Sequence, residues 1–245
     1  MSKHAETTPI RFAMVLAAGL GTRMRPITNT LPKPLVPVCG KAMIDYGLDR
    51  LAAAGVETAV VNVHYLADQV INHVSARIQP QVIISDERER LLDTGGGIAK
   101  ALPYFQGEPF FVYNSDSTWI EGTRPNFELL RAAWRPEAMD ILLMLSPTVR
   151  AVGYDGAGDF TIDPVGRLSR RIEKRIAPFA YSGAAIVHPR AFDDAPTGAF
   201  SFNLLFDRAI KSGKLFGMRM EGQWLHVGTP DAIREAETAI AESAA

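Results

Sequence analysis

From Phe12 onward, short apolar runs alternate with segments whose apolar residues recur at helical spacing, and no other feature restricts the possible fold so much. FAMVLAA (12–18) ends at a glycine loop, as a strand buried on both faces does. KAMIDYGLDRLAAAG (41–55) carries a helical pattern that stops at glycine. TAVVNVHY (58–65) and QVIIS (81–85) read as strands on either side of the helix LADQVINHVSARI (66–78). TGGGIAKALPYF (94–105) opens another helix, PFFVYN (109–114) is a strand, FELLRAAW (127–134) a helix and DILLMLS (140–146) a strand. Past Ala151, GDFTIDPVGRLSRRI (158–172) reads as a hairpin turning near Pro164 to Gly166. The strand FAYSGAAIVHP, the helix FSFNLLFDRAIKSG, the strand LFGMRM and a C-terminal helix with Pro230 in its first turn complete the chain. The expected fold is α/β: a single-domain, Rossmann-like, mixed but mainly parallel sheet with helices on both faces.

Charge narrows the function. The chain of 245 residues has a formal net charge of −1, which argues against general nucleic-acid binding. Yet Arg11, Arg23, Arg25, Lys33 and Lys41 fall between Glu6 and Asp45 with no acid among them. A nearly neutral chain that gathers cations in one stretch is suited to a small anion. Cys39 is the only cysteine, which excludes an internal disulfide and fits a reducing compartment. No apolar run reaches membrane-spanning length and MSKHAETTPIRF lacks a signal-peptide core, so a cytoplasmic protein without membrane partners is expected.

The cations surround LAAGLGTRMRPITNTLPKPL (16–35). A dinucleotide loop, G-x-G-x-x-G, would need glycine where Met24 stands, and the G-K-[ST] of a P-loop is absent. A third possibility is a loop that wraps a nucleoside triphosphate with backbone N–H groups, aided by arginine forks. The uncompensated arginines and lysine favour it over a plain glycine turn.

The stretch LAAGLGTRMRPITNTLPKPLVPVCGKAMI resembles the signature of sugar-1-phosphate nucleotidylyltransferases, almost without departure and without gaps. DTGGGIAKAL and WLHVGTP extend the resemblance over essentially the whole chain, most closely to the short bacterial branch. That branch contains N-acetylmuramate-1-phosphate uridylyltransferases, which serve cell-wall recycling, and mannose-1-phosphate guanylyltransferase-like proteins. The resemblance implies a nucleotide-binding half at about 11–115, a sugar-binding half at about 116–230 and no C-terminal β-helix. It implies UTP as the favoured nucleotide, GTP as the alternative, a sugar 1-phosphate as acceptor, Mg²⁺ as cofactor, and a monomer or homodimer. A non-catalytic nucleotide-sugar sensor is the alternative from a different class.

By the same resemblance, Leu16, Ala17, Ala18, Gly19, Gly21 and Thr22 hold base and phosphates through the backbone, and Thr94, Gly95, Gly96 and Gly97 contact base and sugar. Arg23 meets the β- and γ-phosphates, Lys33 neutralises the α-phosphate, and Asp116 holds Mg²⁺. Asn114, Glu173, Lys174, Gly183 and Asn203 face the sugar phosphate, with Tyr181 and Ser182 beside Gly183. Two departures matter. Ser115 stands where the family commonly has glycine, and His226 stands where it usually has the second metal-binding aspartate. Imidazole is a poor partner for a hard, oxygen-seeking ion, so His226 binds a softer ion such as Mn²⁺, hydrogen-bonds a metal water or phosphate, or leaves the metal to Asp116 and substrate.

Overall fold

The first strand, β1 (Phe12–Leu16), sends alternate residues to opposite sides, and both sides are buried. Phe12 and Met14 join one apolar cluster and Ala13 and Val15 another, so helices must cover both faces of the sheet. The computed structural model describes residues 9–244. After β1 come 3-10 turns at Thr22–Met24, Ile27–Asn29 and Lys33–Leu35. A small hairpin, β2 (Pro37–Val38) and β3 (Lys41–Ala42), leads into α1 (Met43–Ala53). Next follow β4 (Thr58–Val63), α2 (Ala67–Val74), β5 (Gln81–Asp86), α3 (Asp93–Ala101), β6 (Phe110–Asn114), β7 (Ser117–Ile120) and α4 (Asn126–Ala133). The second half contains β8 (Ile141–Pro147), β9 (Phe160–Ile162), β10 (Leu168–Arg170), β11 (Phe179–Val187), α5 (Asn203–Lys211), β12 (Leu215–Arg219), β13 (Gln223–His226) and α6 (Pro230–Ser243).

Nine strands form one mixed sheet. β5, β4, β1 and β6 run parallel; β11 pairs antiparallel with both β6 and β8, and β12 lies parallel to β8. The β9–β10 hairpin joins at one end of β11, with Phe160 opposite Phe179. Helices α1, α2 and α4 supply one face of the core; α3 and α5 supply the other. At Gly47 the approach of α1 is so close that a Cβ would stand 1.9 Å from Cε1 of the buried Tyr113 ring. Helix α6 starts as expected, with Pro230 in the first turn and the Thr229 hydroxyl accepting from the Ala232 N–H at 3.4 Å.

The strand order decides where a ligand can enter. β1 has β4 on one side and β6 on the other, so the crossovers leave β1 in opposite directions and open a crevice beyond its carboxyl end. Register then places particular residues there: Leu16 is level with Asn62 of β4 and with Asn114 of β6. Four short strands were not foreseen from periodicity: β2, β3 (where the helix was expected to begin, at Lys41), β7 and β13. β7 and β13 form a separate antiparallel ladder that sets His226 opposite Ser117, beside the tight turn carrying Asp116.

Candidate active site

A cavity of about 430 Å³ lies beyond the carboxyl ends of the parallel strands. Leu16, Ala17, Ala18 and Gly19 form one wall, Asn114, Ser115 and Asp116 another, and Lys33 and Thr94 close it. A Cβ on Gly19 would meet nothing within 4 Å, so this glycine leaves bare backbone facing the cavity. Gly21 has a different reason to be glycine. Its φ is +63°, and a Cβ would stand 3.0 Å from Thr28 Cγ2 and 3.1 Å from Lys33 Cβ. The Thr28 hydroxyl donates to the Gly21 carbonyl at 2.7 Å, which fixes the loop from beneath.

The loop is also tied to its neighbours. Ser115 is buried, and its hydroxyl donates to the Leu16 carbonyl at 2.7 Å; a glycine there would lack this tether. On the other side Asn62 accepts the Ala17 N–H at 2.8 Å and donates from Nδ2 to Glu87 Oε1 at 2.8 Å. Glu87 Oε2 accepts the Leu92 N–H, at the start of α3, at 3.1 Å. A buried carboxylate is tolerated there because it receives the amide of Asn62 and a helix-start N–H. Gly97 makes room: its Cβ would stand 2.7 Å from Asn62 Nδ2 and 2.8 Å from Glu87 Oε1.

The charged centre joins residues 83 positions apart. Lys33 Nζ lies 2.7 Å from Asp116 Oδ2, and the lysine side chain is 12% exposed. Pro32 and Pro34 flank Lys33, and the Leu35 and Val36 N–H groups close the turn onto Pro32 and Lys33 at 2.9 and 3.1 Å. The ammonium therefore projects from a stiff support. Burial would raise the Asp116 carboxyl, but the Lys33 ammonium beside it, helped by His226 and Arg23, holds it below the usual carboxylate value. Arg23 is exposed, lies outside the lining of this cavity and makes no ion pair among the described residues. Arg23 and His226 meet at Gly228, where a Cβ would stand 3.5 Å from Arg23 Nη1 and 2.8 Å from His226 Nε2.

His226 packs its ring against Trp224 and Tyr154, with centroids 5.2 and 5.9 Å apart. Burial pushes its imidazole below the ordinary histidine value, and although Asp116 opposes this, Lys33 and Arg23 act with burial. A neutral ring at this place offers a hydrogen bond rather than charge. Among the described residues no three His, Cys, Asp or Glu side chains cluster as a metal cage. One carboxylate plus substrate phosphate oxygens nevertheless suits Mg²⁺, which keeps waters and takes few protein ligands. Asp116 fits that requirement.

A second, smaller cavity of about 190 Å³ shares Leu16, Thr94 and Asn114 with the first. Tyr181 and Asn203 line it, together with Asp159 and Arg170. Gly183, at φ +86°, sits where β11 shifts register, with a Cβ position 2.9 Å from Ser117 Cβ and 3.1 Å from Asn114 Cβ. Gly95 and Gly96 are packed beneath Phe200 and the Gly198 carbonyl, so of TGGG only Thr94 reaches the cavities. Glu173 and Lys174 are exposed on the loop after β10 and line neither. Asn62, Glu87, Asp159 and Arg170 had no motif to point to them. The one available signal was Asn62, a polar residue inside the apolar run TAVVNV.

Fold and site together define a nucleotidyltransferase, a sheet whose switch-point crevice carries a glycine loop and a lysine–aspartate pair. The chain belongs to the nucleotidyl transferase family, whose sequence model matches residues 12–243. A curated relative from Caulobacter vibrioides, named N-acetylmuramate alpha-1-phosphate uridylyltransferase, is 48% identical over 95% of this chain and 98% of its own length. A protein of the same name from Neisseria meningitidis serogroup B is 32% identical over 92% of this chain and 96% of its own. Among solved structures, HddC from Yersinia pseudotuberculosis complexed with GMP-PN superimposes with a TM-score of 0.76. It is 23% identical and covers 94% of this chain and all of that one, a likeness of fold. Among the described residues no helix is long and apolar enough to cross a membrane.

Proposed function

We propose that the protein transfers the uridylyl group of UTP to N-acetylmuramate 1-phosphate, releasing pyrophosphate. The observation that carries the reaction class is the Lys33–Asp116 contact of 2.7 Å in the wall of the glycine-loop cavity. The two relatives at 48% and 32% identity support the choice of base and sugar. A phosphate oxygen of the sugar 1-phosphate bonds to the α-phosphorus while the bond to the α,β-bridging oxygen breaks, and pyrophosphate carries away the electron pair. The attacking phosphate is already ionised near neutrality, so no general base is needed. Positioning and charge dominate such a transfer.

The backbone of Leu16 to Gly19, with Gly21 and Thr22, holds base and phosphates, and Arg23, next in the loop, meets the leaving pyrophosphate. Lys33 stabilises the charge that grows on the α-phosphoryl oxygens. Asn114, Gly183 and Asn203 belong to the acceptor side; Glu173 and Lys174 have no part in this reading. A divalent metal, in general use in the family, supplies charge neutralisation across phosphate oxygens when bound. Asp116 would hold it, and the neutral His226 ring would offer a hydrogen bond on that side of the site.

The test is pyrophosphate release in the presence of Mg²⁺, with UTP, GTP, dTTP, CTP and ATP each paired with N-acetylmuramate, mannose, glucose and N-acetylglucosamine 1-phosphates. Turnover with UTP and N-acetylmuramate 1-phosphate alone is expected. GTP with mannose 1-phosphate would replace both substrates, and nucleotide binding without pyrophosphate release under Mg²⁺ or Mn²⁺ would favour a sensor.

A further inference from the structure

We infer that Arg170 is a specificity-determining residue that reads a carboxylate on the acceptor sugar, so that the smaller cavity selects sugar 1-phosphates bearing an acidic substituent. This deepens the reading above and rests on it. N-acetylmuramate is N-acetylglucosamine carrying a lactyl ether, and the carboxylate of that ether is what distinguishes the two.

The cavity of about 190 Å³ continues from the nucleotide cavity past Leu16, Thr94 and Asn114. Arg170 is the one cationic side chain in its lining. Neither Lys33 nor Arg23 reaches it, so the phosphate-handling charges lie elsewhere. The guanidinium lies over Phe160 and Phe206, 4.8 and 5.6 Å from their centroids. Its Nε donates to Asp207 Oδ1 at 2.7 Å, and Nη2 donates to the Asn203 carbonyl and Oδ1 at 3.2 and 3.0 Å. Guanidinium has five N–H bonds, so this arrangement leaves the two on Nη1 without a partner among the described residues. A guanidinium held by stacking and three hydrogen bonds offers the two charged N–H donors of Nη1 in a fixed place, where a carboxylate oxygen can accept one. Asp207 is 52% exposed, so solvent screens its hold on the charge.

Tyr181 walls the same cavity: its ring stands edge-on to Phe206, 5.5 Å between centroids, while its hydroxyl is sealed from solvent and has no hydrogen-bond partner among the described residues. The only acid in the lining, Asp159, already accepts the Tyr181 N–H at 2.9 Å.

The experiment compares N-acetylmuramate 1-phosphate with N-acetylglucosamine 1-phosphate as acceptors for UTP, in wild type, Arg170→Gln and Arg170→Lys. Binding of each sugar phosphate is measured separately by calorimetry. Wild type should prefer the acidic sugar, and Arg170→Gln should reduce that preference about 10- to 100-fold, the size of a lost charged hydrogen bond. Arg170→Lys keeps a charge but neither the stacking nor the fixed Nη1 donors, so part of the preference should remain. Should Arg170→Gln fail to fold, the lysine variant alone decides. An equal fall for both sugars, an unchanged ratio in either variant, or no wild-type preference in binding overturns the proposal. Absence of wild-type turnover with both sugars overturns the proposed reaction instead, and the calorimetric ratio still tests Arg170.

Discussion

Replacing Lys33 by alanine removes the ammonium that lies 2.7 Å from Asp116 and leaves the supporting turn in place. That turn rests on Pro32, Pro34 and two backbone hydrogen bonds, none of which involves the lysine side chain. The structural cost is therefore that of the ion pair. With side chains 12% and 33% exposed, the pair lies between a surface bridge and a buried one, which suggests a loss of about 1–3 kcal/mol. In a chain of this length that lowers Tm by about 2–12 °C. The catalytic cost should be larger. One preorganised donor at the site of developing charge is worth about 10²–10³ in kcat. Initial rates of pyrophosphate release, measured well below the variant's Tm over a range of both substrates, should show the loss in kcat rather than in the KM for nucleotide. A folded Lys33→Ala enzyme with kcat within about threefold of wild type would refute the reasoning. So would recovery of activity in Lys33→Ala/Asp116→Asn, because the lysine would then only neutralise the aspartate.

Gly97→Ala drives a methyl to within 2.7 Å of Asn62 Nδ2 and 2.8 Å of Glu87 Oε1, so it should destabilise by about 1–3 kcal/mol and raise the KM for nucleotide through the Ala17 tether; wild-type denaturation and kinetics would show those links to be idle. His226→Asp adds a hard oxygen donor beside Asp116 and should lower the Mg²⁺ concentration for half-maximal rate about tenfold, an unchanged or higher requirement counting against the assigned metal side of the site. His188 is pushed below the ordinary histidine value by burial first and by Arg190, while its Nδ1 accepts the Arg190 N–H at 3.2 Å. Its unfolded form takes up a proton at about 6.5 and the folded form only at lower pH, so its stability contribution is complete above 6.5 and falls as pH drops. His188→Gln should flatten the acid side of the Tm–pH curve, leaving the share of the same sign from His226; two superimposable curves would show that His188 does not contribute.

Periodicity settled which segments are strands and helices because burial on two faces leaves a continuous apolar run, and burial on one side of a helix leaves a repeating one. Phe12 to Leu16 and the amphipathic stretch ending at Gly55 carry those marks in their own residues. The glycine loop was equally local: Gly21 must adopt a positive φ, and the cations around it lack acids within the same stretch. What no local pattern contained was pairing across the chain. Leu16 gains Asn62 and Asn114 as neighbours only through sheet register, and Lys33 finds Asp116 only when the turn after β6 folds beside the loop. The ladder of β7 and β13 that brings His226 to the same place is four residues on each side, too short for periodicity to announce. Asn62, Glu87 and Arg170 look in sequence like an ordinary strand polar residue and two solvated charges. Their burial or stacking comes from partners far along the chain, at Ala17 and Leu92 for the first two and at Phe206 and Asp207 for the third. Local chemistry determined the strands, the helices and a glycine loop rich in unpaired cations, whereas tertiary contact decided which side chains stand around that loop and which of its charges are paired.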